Sequence, residues 1–273
     1  MHKSLSHGMR GAVLTLAIVL AAGLQIRLTG PAAAQAPATN GQIPRTADGR
    51  PNLQGIWQTN NRAAYGLEDH HARHLMPPGR SVVVGGTIPY QEWALKQRDE
   101  NFANRYTADP FSKCYFPGVP RIMYLDHPYQ IFQARDHIAI GFEWSGVYRV
   151  IYTNGSEPNQ GIEFWMGDSR GRWDGDTLVV EVTNFNDKTW FDMAGNFHSE
   201  ALKVTERFTM LDADTIQYEA EIADPKVFTR PWTMRMPIYR QKDMDRVLEY
   251  HCNAEASEES GTFHRDPKTW YPK

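Results

Sequence analysis

From Pro128 onward the sequence alternates apolar and polar residues with a period of two, segment after segment, and no other feature constrains this chain as strongly. Ile138, Ile140, Phe142 and Trp144 form one apolar set, and Leu178, Val180 and Val182 a second. Ile216, Tyr218, Ala220 and Ile222 form a third, and Trp232, Met234, Met236 and Ile238 a fourth. Short turn signals separate them: Ser145-Gly146, Asn154-Gly155, Asp174-Gly175-Asp176 and Asp212-Ala213-Asp214. Roughly eight to ten such strands in succession, without crossover helices, imply an antiparallel meander that must close on itself to bury its apolar face and remove its edges. The expected fold is mainly β: an antiparallel up-and-down β-barrel of lipocalin-like shape, with a β-sandwich as the alternative.

The segment before residue 120 reads differently. Residues 37–52 are rich in Pro, Gly and Asn and form an irregular arm, followed by a short strand over Gly55 to Thr59. Pro77, Pro78, Gly85, Gly86, Pro89, Pro110 and Pro117 interrupt the rest, which leaves one helical stretch from Tyr90 to Tyr106. The expected organisation is therefore an irregular and helical wrap over 37–120, a barrel over 121–252 and a tail over 253–273.

Residues 1–36 have the pattern of a secretory signal peptide. Lys3 and Arg10 give a basic start, Gly11 to Leu24 is apolar, and Ala34-Gln35-Ala36 is a small-x-small cleavage signal. Arg27 and Pro31 end the apolar run short of the ~20 residues that a membrane span requires. The expectation is a periplasmic or secreted chain that starts near Pro37 and has no membrane span. Its two cysteines, Cys114 and Cys252, can then form one disulfide or remain two buried thiols. With 29 Lys+Arg against 32 Asp+Glu, a net charge of -3 argues against nucleic acid as a partner.

Some polar residues break the alternation. Glu206 falls on the apolar face made by Leu202, Val204, Phe208 and Met210, where a carboxylate must be paired or protonated. Arg149, between Val147 and Ile151, and Arg230, two residues before Trp232, are its candidate inward partners. Such a group is a structural ion pair or an anion-recognition site. A second constellation runs from Trp165 to Glu200 and gathers Asp168, Asp187, Asp192 and His198 among aromatic residues, in loops that flank strands. His198 is the candidate acid or base, because imidazole titrates near neutrality and a carboxylate can orient it.

Around these, Trp165, Trp190, Tyr152 and Trp232 are candidate substrate-binding aromatics, and exposed Trp165, Trp173 and Trp190 also admit a carbohydrate-binding reading. The run Asp69-His70-His71-Ala72-Arg73-His74 lacks the HExxH pattern and carries Arg73, so it is read as a solvated loop and no metal site is expected. Nucleotide loops and a serine-hydrolase elbow are missing from the sequence, and no cofactor is expected.

Several motifs together resemble a large group of exported bacterial proteins. They are Gly118-Val119-Pro120-Arg121, Glu143-Trp144, Arg149-Val150-Ile151-Tyr152 and the run from Gly171 to Val180. Phe185-Asn186-Asp187, Thr189-Trp190, His198-Ser199-Glu200, Glu206-Arg207 and Arg230-Pro231-Trp232 continue the pattern, which spans about residues 44 to 252. The resemblance implies that Cys114 and Cys252 are a disulfide pair. It also marks Asp168 as a departure, since such proteins commonly carry His there, and brings no activity with it.

Two functions follow as expectations. The first is a cofactor-independent lyase, isomerase or hydrolase acting on a small apolar or aromatic molecule in a barrel pocket. His198 would be its base, Asp168 or Asp192 would orient that ring, Glu206 would belong to the catalytic group, and Arg149 and Arg230 would stabilise charge. The second is a lipocalin-like binding protein without catalysis. Convergence of His198, Glu206 and Arg149 in one pocket favours the enzyme, whereas an aromatic cavity with dispersed polar groups favours the carrier.

Overall fold

A computed structural model of the chain describes residues 42–252. The signal segment, the start near Pro37 and the tail lie outside the described residues. Nine strands close into a barrel in chain order. They are β1 (Gly55–Thr59), β2 (Tyr129–Gln133), β3 (His137–Phe142), β4 (Tyr148–Tyr152), β5 (Asp168–Asp174), β6 (Thr177–Thr183), β7 (Lys203–Met210), β8 (Thr215–Ala223) and β9 (Trp232–Arg240). The barrel thus draws β1 from the segment before residue 120 and seats it between β2 and β9.

One pair departs from the expected antiparallel meander: β4 and β5 run parallel, joined only at Ile151↔Ser169 and Tyr152↔Arg170. Parity requires it. A closed ring with an odd number of strands cannot alternate direction all the way round, so two neighbours must point the same way. The long connection over 153–167 returns the chain to the same end of the barrel, as parallel neighbours demand.

Alternation decides what fills the interior. Val204, Glu206, Phe208 and Met210 of β7 are buried while Lys203 and Arg207 are exposed, and β8 buries Ile216, Tyr218, Ala220 and Ile222. Trp232, Met234, Met236 and Ile238 of β9 are buried in the same way. The interior is packed with side chains. Between β1 and β2 lie α1 (Glu92–Ala103), α2 (Arg105–Ala108) and two 3₁₀ turns, Pro110–Lys113 and Arg121–Tyr124. The helix expected over Tyr90 to Tyr106 breaks at Asn104, and α1 buries only Ala94, so it lies on the surface. By contrast, every residue of the second 3₁₀ turn is buried. Gly118, just before that turn, adopts φ +75°, and a Cβ there would meet Thr189 Oγ1 at 2.6 Å, so the close approach of the wrap to the 189–198 loop requires glycine.

The disulfide joins Cys114 to Cys252, with Cα atoms 5.5 Å apart. It fastens the strap 248–252 over the wrap. Two hydrogen bonds of Ser145 assist it: its N–H donates to the Tyr250 carbonyl at 2.6 Å, and its Oγ accepts from Cys252 N at 3.0 Å. Among the described residues no helix is long and apolar enough to cross a membrane.

Candidate functional site

The barrel interior holds an ion pair at its centre. Arg149 Nη1 donates to Glu206 Oε1 at 3.0 Å, and Nη2 donates to Oε2 in the same fork. Tyr218 Oη donates to Glu206 Oε1 at 2.8 Å, and Arg149 Nε donates to Ser169 Oγ at 3.0 Å. With Glu206 at 0% and Arg149 at 3% exposure, this group is closed to a ligand and its charges are fully engaged with each other. Arg230 is not its partner: it is exposed, and among the described residues its guanidinium donates only to the Pro231 carbonyl. The face of Trp232 does not extend back to it, because β9 begins at Trp232 and Pro231 interrupts the regular strand geometry.

His198 is buried in the 189–198 loop and does not meet that group. Its Nδ1 faces the Ser199 carbonyl at 2.9 Å, which can only accept, so Nδ1 carries the proton. Nε2 is then the lone-pair atom and accepts from the Thr189 hydroxyl at 2.6 Å. Both nitrogens are occupied, and burial pushes the ring's pKa down, which keeps it neutral. Neither carboxylate expected to orient it does so. Asp168 opens β5 instead, accepting from Asn159 N at 2.8 Å, Asn159 Nδ2 at 3.0 Å and Arg170 Nη2 at 3.0 Å, which pins the return loop.

Asp192 fastens the wrap to the 189–198 loop. It accepts from Leu67 N at 2.8 Å, Asn196 N at 3.1 Å and Asn196 Nδ2 at 2.6 Å. Complete burial nonetheless raises its pKa from 3.8 to about 6. A carboxyl group with a raised folded pKa contributes stability that is present below its unfolded pKa and lost as pH rises through the folded value. Unfolding free energy is therefore expected to fall by about 3 kcal/mol between roughly pH 4 and pH 6 relative to Asp192→Asn, which lacks the titration. Parallel profiles for the two proteins across that window would refute this assignment.

The candidate aromatics are dispersed. Tyr152 is exposed on the barrel exterior, 4.7 Å beneath the Arg170 guanidinium. Trp165 stacks on Tyr115 at 5.1 Å. Trp190 bridges Phe197 within its loop. Trp232 is buried edge-on to Phe191 and Phe228.

A cavity of about 280 Å³ lies elsewhere, and none of its lining residues belongs to a strand. Leu75, Phe111, Leu125 and Met193 supply apolar walls, and Tyr65, Arg121, Asp126 and His127 bring polar groups. Asp192 helps to shape it, because the loop it anchors places Met193, whose N–H donates to the Ala64 carbonyl at 3.0 Å. Arg121 forks onto Asp109 with two bonds of 2.8 Å, both side chains about 3% exposed, and Asp109 also accepts from Phe111 N at 3.0 Å. This buried pair locks the two 3₁₀ turns together as one wall.

Two polar groups matter chemically. Tyr65 Oη donates to Asp126 Oδ2 at 2.9 Å, and burial first, then Asp126, pushes the phenol up to about 12, so it stays protonated. His127 Nδ1 donates to Glu143 Oε1 at 3.3 Å, while Tyr250 of the strap lies 4.4 Å from the ring. Glu143 is itself held, since its Oε2 accepts from Leu248 N at 3.1 Å. Nε2 of His127 has no hydrogen-bond partner among the described residues. Neither His127 nor Tyr65 stands out in the sequence. The only available signal was the pairing of His127-Pro128 with Glu143-Trp144 across a hairpin, which the Glu143 N to Pro128 carbonyl bond of 3.1 Å now shows.

Among the described residues no three His, Cys, Asp or Glu side chains are grouped to hold a metal ion. No known protein family, curated protein or solved structure matches this chain.

Proposed function

We propose that this chain is an exported, cofactor-independent enzyme of the lyase, isomerase or hydrolase type, acting on a small, largely apolar or aromatic molecule in the cavity beside Phe111. The observation that carries this reading is the His127–Glu143 pair. A carboxylate on Nδ1 fixes the tautomer, orients the ring and stabilises the imidazolium that forms when Nε2 takes a proton. The apolar walls supply the binding, as small-molecule sites commonly do. Tyr65, kept protonated, completes the cavity's polar edge through Asp126. Export is supported by the signal pattern together with the disulfide.

The test is a turnover screen of the purified chain against aryl esters and enolisable aryl ketones. In a substrate series that reacts, His127→Gln is expected to lower kcat by about a hundredfold or more. His198→Gln is expected to cost stability and leave kcat within a few fold, since both of its nitrogens bond within the protein. Loss of turnover in His198→Gln with His127→Gln active would return the base to His198.

A second reading, a non-catalytic carrier, is favoured by one observation: the strongest polar groups of the fold, Arg149, Glu206 and Asp192, are engaged with protein and not with the cavity. Tight binding of aromatic molecules with no turnover, and affinity unchanged in His127→Gln, would establish it.

A further inference from the structure

The apolar cavity has a neighbour across its polar edge. Asp126 lines it and also lines a second recess, of about 470 Å³, on the outer surface where β1 meets β9. Within that recess Gln58, Asn60, Asn61 and Gln241 present carboxamides, and Tyr239 presents an aromatic ring that is 40% exposed. The register explains the grouping, because Gln58 of β1 lies directly opposite Tyr239 of β9. Two of the amides are anchored. Asn61 Oδ1 accepts from Ala63 N at 2.9 Å, and Gln241 Nε2 donates to the Tyr239 carbonyl at 3.3 Å. The side chains of Gln58 and Asn60 make no hydrogen bond among the described residues.

The recess also contains one cation and one anion, and they face each other: Arg62 Nη1 lies 3.3 Å from Asp126 Oδ2. Its lining therefore has no excess charge to select a phosphate, a carboxylate or a metal ion. Planar carboxamides, each with a donor and an acceptor, suit groups that themselves donate and accept, and hydroxyls are such groups. A neighbouring tyrosine ring suits the C–H face of a ring that carries those hydroxyls.

We infer that the ligand is an amphiphile with a neutral polyhydroxylated head, an aryl glycoside in chemical class, whose aglycone enters the cavity beside Phe111 while the sugar lies against Gln58, Asn60 and Tyr239. The junction is Asp126, held by Tyr65 from the cavity side and by Arg62 from the recess side. This inference rests on the cavity reading proposed above and adds the substrate class to it.

The probes are phenyl β-glucoside, phenyl β-galactoside, phenyl α-rhamnoside, phenol and free glucose, titrated calorimetrically into the full chain. At least one glycoside is expected to bind tenfold or more tightly than both phenol and glucose. In the double variant Gln58→Ala/Asn60→Ala, with its fold checked by circular dichroism, that glycoside is expected to bind no more tightly than phenol binds the parent. Equal affinity for phenol and every glycoside, or a double variant that keeps the full advantage, overturns the inference and leaves the cavity reading standing. Glucose binding as tightly as the best glycoside overturns the joint occupancy. If neither phenol nor any glycoside binds, the cavity reading itself falls.

Discussion

Replacing Glu206 with alanine is expected to lower the unfolding free energy by about 3 to 5 kcal/mol, read from urea denaturation. The size follows from what remains rather than from what is removed. Arg149 would stay inside the barrel at 3% exposure, with Ser169 and the Met123 sulfur as its remaining neighbours and no counter-charge. Tyr218 would also lose the acceptor of its hydroxyl. An apolar double replacement, Arg149→Met/Glu206→Leu, removes both charges together and is expected to recover most of the loss, because a buried pair contributes little net stability although breaking it is costly. A loss below about 1 kcal/mol for Glu206→Ala would show that the arginine finds water or another partner, and that the barrel centre is not sealed.

The disulfide should have an effect of similar size. Cys114 and Cys252 are 138 residues apart, so the crosslink closes a long loop that contains β2 to β9. Cys114→Ser/Cys252→Ser is expected to destabilise by roughly 4 kcal/mol through the freed unfolded chain. It should also loosen the strap, which without the bond is held by single contacts such as Leu248 N to Glu143 Oε2 at 3.1 Å. Since that strap lays Tyr250 on His127, any turnover that depends on His127 under the proposed reading is expected to fall along with stability. Unchanged denaturation midpoints with and without reductant, in protein whose thiols are shown to be free after reduction, would contradict the stability effect.

What the sequence disclosed and what it withheld divide along a physical line. Wherever a residue's environment depends on its own strand, period two was sufficient: Glu206 among Val204 and Phe208, Arg149 beside Ile151, and the buried face of β8 could all be read directly. The same rule misplaced Arg230, because a face cannot be extrapolated past the strand end at Trp232. The return loop that makes β4 and β5 parallel carries no periodic signal, so the odd strand count was invisible. The cavity was invisible too. It is assembled from the irregular arm, two 3₁₀ turns and a distant loop, whose mutual positions depend on long-range bonds such as Leu67 to Asp192 and Arg121 to Asp109. Around His198 the sequence is dense in His, Asp and Trp, which is why it reads as a site. Local density does not reveal whether a ring nitrogen is free, and in this loop Thr189 and Ser199 occupy both.

The position of β1 determines when this molecule can become itself. Among the described strands, β1 has β2 on one side and β9, the last of them in chain order, on the other. Until β9 pairs, the sheet is therefore an open ribbon with two unpaired edges, and no earlier strand can cap either of them. Ring closure is a single late event that waits for Trp232–Arg240, and the disulfide that secures the ends lies later still. A chain stopped short of β9 would be no smaller barrel. It would be a long template for pairing with other chains, so quality control of this protein depends on β9 and on the cysteine that follows it.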